Sequence, residues 1–114
     1  MSHQPTPEDH DPRARYLREV FRLYRATPGV LGHIRRADRE FATTLFDQGV
    51  PLDTVERAFM LAAVRRVRHN AFSTPLPPIR CLHYFRALIQ EMLERPLTPH
   101  DVEELRRFLL EHPR

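Results

Sequence analysis

Apolar residues recur at helical spacing through most of the chain, and no segment shows the two-residue alternation of a half-buried strand. In residues 12–25, Leu17, Val20, Phe21 and Tyr24 fall at i, i+3, i+4 and i+7, with Asp11 placed to cap the free amides and Pro12 in the first turn. Thr27, Pro28 and Gly29 break this first helix. Residues 30–36, interrupted by Gly32, predict a short turn or the opening turn of a second helix over 37–48, which points Phe41, Ala42 and Leu45 inward and ends at Gly49. Val50 and Pro51 then launch a third helix over 52–69. Its Val55, Ala58, Phe59, Met60, Ala62, Ala63, Val64 and Val67 spread over far more than the stripe of about 100° that a surface helix buries. Such a helix belongs at the centre, with neighbours on several sides. The short link at Gly49 predicts that helices two and three are close neighbours, as a hairpin or a helix-turn-helix corner.

Beyond residue 70, Pro75, Pro77 and Pro78 predict a stiff loop, because each proline fixes its own φ and restricts the residue before it. A fourth helix is expected from about Pro78 to Glu94, with Cys81, Leu82, Phe85, Leu88, Ile89, Met92 and Leu93 on one apolar face and Cys81 as a small buried hydrophobe. Thr98 and Asp101 form a capping-box pattern around Pro99 and open a fifth helix with Val102, Leu105, Phe108 and Leu109 inside. The expected fold is all-α, a compact five-helix orthogonal bundle around the central helix of residues 52–69. Residues 11–112 form its single domain. Residues 1–10, with Pro5, Pro7, Glu8 and Asp9 and no apolar periodicity, read as a disordered tail.

Charge sharpens this picture. All 18 basic residues are arginine, against 15 acidic ones, for a formal net charge of +3. Residues 13–39 hold eight arginines against Glu19 and Asp38, whereas residues 91–111 hold six acids against Arg95, Arg106 and Arg107. The chain is electrically lopsided, and its basic part suits a polyanionic partner. The single Cys81 excludes an intrachain disulfide, and a reducing, cytoplasmic setting is expected. No run approaches the roughly 20 apolar residues needed to span a bilayer, so no membrane partner is expected.

Catalytic chemistry has little to stand on. The chain carries three glycines in all, each beside a break, and neither a glycine-rich phosphate loop nor a nucleophile motif. Of its seven histidines, His33, His69, His83 and His100 lie on different elements, with no ligand pair expected at the i+3 or i+4 spacing of a zinc motif. The expectation is a non-enzymatic protein with no catalytic residue, no metal and no cofactor.

Nucleic-acid contact can be read in two ways. Leu45, Gly49, Val50 and Val55 fit the spacing of a helix-turn-helix, yet the exposed leading positions of its reading helix are Asp53, Thr54 and Glu56, which would repel phosphates. The second reading needs no recognition helix. Arg15, Arg18, Arg22 and Arg25 share one stripe of helix one, Arg35 and Arg36 follow with Arg39, and Arg65, Arg66, Arg68 and Arg80 surround the proline loop. These would contact backbone phosphates, with Tyr84 or Phe72 available to stack on an unpaired base. The rival class is a protein-interaction adaptor or a homodimer, in which the basic side docks an acidic surface or an apolar helix face completes the assembly. A third reading is a small helical subunit of a larger nucleoprotein complex, whose arginines meet nucleic acid only once assembled.

The run GVPLDTVERAFMLAAVRR, followed by PLPPIRCLHYF and an acidic helix, resembles small helical proteins encoded in bacterial mobile elements. It is similar, more distantly, to the DnaD-like domains of replication initiators. The resemblance covers residues 16–93, and the sequence departs from DnaD proteins in having neither a separate winged-helix domain nor a basic C-terminal tail. It implies a role in the DNA transactions of a mobile element, DNA being expected ahead of RNA, through contact with DNA or with another replication or recombination protein.

Overall fold

Three cap signals define the helices in the computed structural model, which describes residues 11–112. Asp11 accepts a hydrogen bond from Arg13 N at 3.0 Å and starts α1, Pro12–Ala26. Thr98 and Asp101 exchange reciprocal bonds, each of 3.1 Å, at the start of α5, Pro99–Glu111. The third is the buried carboxylate of Asp38, which accepts from Arg35 N at 2.8 Å and sets the start of α2, Arg36–Asp47. Between them run α3, Leu52–Phe72, and α4, Arg86–Glu94, the latter entered through a 3₁₀ turn, Leu82–Phe85. The expected disordered tail lies outside the described residues.

The third helix occupies the centre, as its sequence requires. Val55, Ala58, Phe59, Ala62, Ala63 and Val64 are all buried, and α1, α4 and α5 each pack along it. Alanines at these positions let three neighbours approach one axis closely. Around them Tyr24, Phe59 and Phe85 form an aromatic triangle with ring centroids 4.5 to 6.3 Å apart, Tyr24 meeting Phe85 edge-on. The helix runs to Phe72, one turn beyond the expected end at residue 69, because nothing before Ser73 interrupts it. The bundle is thus all-α, with one isolated parallel bridge, Val30 to Ile79, as its only β pairing among the described residues.

Two expectations about connections are corrected. Although α2 and α3 are joined by a short link, α2 lies against α1 and the 3₁₀ turn and makes little direct contact with α3. Gly49, at φ +71°, turns the chain, and Tyr16 Oη donates to Val50 O at 2.8 Å, which pins the link to α1 and leads α2 across it. The fourth helix does not begin near Pro78. Ile79 is held instead in the bridge, with Ile79 N donating to Gly29 O at 2.7 Å and Leu31 N to Ile79 O at 3.0 Å, and the chain stays extended through Cys81. Cys81 therefore precedes the helix rather than lying on its inner face, and it is exposed.

Asp38 joins these parts. Its other oxygen accepts from Leu82 N at 2.8 Å, so one carboxylate caps α2 and anchors the 3₁₀ turn leading into α4. Replacing Asp38 by Ala strands two backbone donors at a site only 1% exposed and is expected to cost about 3 kcal/mol, read as a lower urea midpoint with little change in slope. A variant as stable as the parent would remove the anchoring role.

Burial raises the phenols of Tyr16 and Tyr24 from 10.0 to about 12, with the neighbouring Asp38 charge adding to the shift at Tyr24. Unfolded tyrosine ionises near 10, so above that pH the unfolded chain releases protons that the folded chain keeps. Stability should accordingly fall as pH rises from 10 towards 12, and the phenolate absorbance of these two residues should appear only towards the end of that window. Early titration of all three tyrosines in the folded protein would contradict it.

Candidate nucleic-acid interface

Helical geometry places the arginines of α1 opposite its buried face. Tyr16, Val20, Phe21 and Tyr24 point into the core, while Arg15, Arg18, Arg22 and Arg25 are exposed along the outer side. Like charges at i+3 and i+4 repel. The stripe relieves this at Arg22, which ion-pairs with Glu19 and holds that carboxyl below its ordinary value, and at Arg25, whose Nε donates to Gly32 O at 3.4 Å. Arg15 makes no ion pair with a described residue.

The bridge extends this basic side around one end of the bundle. Because Leu31 pairs with Ile79, Gly32 and its bound Arg25 lie close to the segment that carries exposed Arg80. Exposed Arg35 follows on the same side of the break, and Arg36 beyond it pairs with Glu40 at 3.1 Å. No acidic residue occurs in residues 20–37 or 57–90, the segments that build this end. Arg25, Arg35 and Arg80 are thus exposed at this end without an ion pair to a described residue, while Asp38 and Glu40 follow directly in α2.

The remaining arginines are divided. Arg65 pairs with Glu91 of α4 at 3.1 Å, and the Arg68 guanidinium sits 5.0 Å over the Phe108 ring of α5. Both thus face the acidic half of the molecule rather than extending the α1 stripe. Arg66 corrects the expectation of an outward phosphate contact, since it is 7% exposed. Its Nη2 donates to Pro77 O at 2.8 Å and its Nη1 to Tyr84 Oη at 3.3 Å, and no carboxylate pairs with it among the described residues. The signal was present in the sequence: Arg66 lies four positions after Ala62 and seven after Phe59, on the inner stripe of α3.

Of the two stacking candidates, Phe72 is 89% exposed at the end of α3, so its ring is open. Tyr84 is partly committed, with its hydroxyl on Arg66 and its ring edge-on to Phe85 at 5.2 Å. The helix-turn-helix reading loses its reading helix, because the inner positions of α3 are covered by three neighbours. Among the histidines, His100 does find a carboxylate at i+4, Glu104 at 3.0 Å, contrary to expectation. No group of three or more histidine, cysteine or acidic side chains among the described residues is placed to hold a metal. No helix among them is long and apolar enough to cross a membrane.

Comparison with protein-family models, with curated proteins and with solved structures finds no match for this chain.

Arg66 and Arg65 are adjacent in sequence and opposite in role. Arg66→Ala should lower stability by about 2–3 kcal/mol by stranding Pro77 O and opening a gap beside Gly29, whereas Arg65→Gln, an exposed pair, should change it by less than about 1 kcal/mol. Equal effects of the two in urea denaturation would refute the assignment.

Proposed function

We propose that this chain is a non-enzymatic accessory protein that associates with nucleic acid, DNA ahead of RNA, through phosphate contacts from Arg15, Arg18 and Arg25 on the outer side of α1 and from Arg35 and Arg80 at the bridged end. The observation that carries this reading is the exposure of Arg25, Arg35 and Arg80 on the stretches joined by the Val30 to Ile79 bridge, within two runs of sequence, residues 20–37 and 57–90, that hold no acidic residue. Phe72, open at the same end of α3, supports an additional stacking contact with an unpaired base. The resemblance of residues 16–93 to helical proteins of bacterial mobile elements, and to DnaD-like domains, suggests replication or recombination as the setting, with a protein of that machinery as a second partner.

A second reading is favoured by a separate feature. Between α2 and α4 lies a groove of about 440 Å³ that Leu45, Val50 and Ile89 line together with Phe41 and Leu93, and to which Glu40, Thr44, Gln48, Arg86 and Gln90 contribute polar groups. It suits an adaptor that receives an amphipathic segment of a partner or of a second copy.

Titration of labelled single- and double-stranded DNA at two ionic strengths tests the first reading. Phosphate contacts release counterions, so log K should fall against log salt with a slope of roughly −2 to −4 for a handful of contacts. The combined variant Arg15→Gln, Arg25→Gln, Arg80→Gln should bind at least about tenfold more weakly at low salt with its fold intact, while Arg107→Gln on α5 binds as the parent does. Absence of binding to either DNA at low salt, with a salt-insensitive dimer in a size measurement, would replace this reading by the adaptor.

A further inference from the structure

Burying a guanidinium without a counter-charge is costly, and arginine does not escape the cost by losing its proton. At Arg66 the protein supplies only neutral acceptors, Pro77 O and Tyr84 Oη. Its Nε makes no hydrogen bond with a described residue, yet the only buried side-chain polar atom left without a partner among the described residues is Tyr24 Oη. Nε therefore keeps some exposure, and Arg66 lines a cavity of about 280 Å³ together with Gly29, Leu31, Asn70 and Leu76.

The rest of that cavity is built to the same purpose. A Cβ on Gly29 would lie 2.9 Å from Nε and 3.3 Å from Nη2, so only glycine leaves this edge of the guanidinium uncovered, and its φ of +92° fits no other residue comfortably. Asn70 Oδ1 accepts from Leu76 N at 3.0 Å, which fixes the amide and leaves its Nδ2 donors unspent. No acidic residue lines the cavity, and its volume is at the small end for ligand pockets. We propose that this cavity binds a single oxyanion of the phosphate type, with the Arg66 guanidinium as its charged partner and the Asn70 amide as a second donor. The site is distinct from the outward arginines and does not rest on their binding a long polyanion.

The test is a titration of the ¹⁵N-labelled protein with inorganic phosphate at constant ionic strength, with chloride as the displaced ion. Saturable shifts confined to residues 29–31, 66–70 and 75–78 are expected. Leu31→Glu places a carboxylate at the cavity mouth from a half-exposed position, so the fold is retained while phosphate affinity should fall by at least about tenfold. Arg66→Lys keeps the charge and loses the planar fork, and should weaken binding by about tenfold, with changes in the parent spectrum confined to the cavity residues and the strap through Tyr84. Linear shifts, shifts spread along α1, or unaltered affinity in Leu31→Glu would overturn the proposal. Oligonucleotides with a 5′-phosphate or a 5′-hydroxyl separate the sources: tighter binding of the phosphorylated strand assigns the anion to a strand end, and equal binding alongside saturable phosphate assigns it to the free ion. Saturation by phosphate without any binding of DNA would leave this site standing and remove the polyanion reading.

Discussion

The segment from Pro77 to Tyr84 has almost no secondary structure of its own, and two buried charges of opposite sign hold it in place. Arg66 takes the carbonyl of Pro77 and the hydroxyl of Tyr84, and Asp38 takes the amide of Leu82. Between these clamps Ile79 pairs with residues 29–31. A strap rich in proline lacks amide donors and cannot complete a helix or a ladder, so its backbone groups need side chains as partners. Each charge is thereby matched to backbone dipoles rather than to the other. This geometry ties α1, α2, α3 and the entry to α4 into one unit, which no pair of helices in the bundle achieves alone.

The dependence runs through α3. Its small residues bring three helices close to one axis, and that closeness makes an inward arginine at position 66 tolerable only where a strap can lie over it. Gly29 permits the approach, because a side chain there would collide with the guanidinium. The break after α1 is therefore more than a turn between helices. Its glycine, its bridge to Ile79 and the arginine beneath it form a single packed feature.

Much of the helical scaffold was legible because its signals are local. Asp11 with Pro12, Gly49 and the Thr98 to Asp101 box are short patterns whose physical cause acts within a turn. The multi-sided burial of α3 could also be read, since it follows from the angular spread of its apolar positions. The misreadings share another cause. Whether Leu82 starts a helix depends on Asp38, forty-four positions earlier, and whether α2 meets α3 depends on Tyr16 reaching Val50. Cys81 continues the apolar spacing of α4 backwards in sequence, but the bridge at Ile79 keeps the chain there extended and leaves the thiol exposed. Arg66 is different: its position on the inner stripe was visible, but an arginine in a cluster of arginines invited an outward reading. Within the basic face, residue type and separation from acids were legible, and the ion pairs that draw Arg65 and Arg36 out of it were only partly so.

One property of the sequence links the buried and the exposed arginines. Acidic residues are absent from residues 20–37 and 57–90, and the nearest carboxylate to the strap, Asp38, is spent on the backbone amides of Arg35 and Leu82. Inside, that absence leaves Arg66 to carbonyl and hydroxyl oxygens and keeps one edge of it open. Outside, it leaves the end of α1 and the strap cationic at short range, where salt screens a field least. Glu91 of α4 neutralises Arg65, and Glu56 of α3 pairs with Arg106 of α5 at 3.4 Å. The distribution of charge is a consequence of the fold as much as of composition: α3 presents Arg65 to Glu91 of α4 and Glu56 to Arg106 of α5, while Arg66 on its inner stripe is left to the oxygens of the strap.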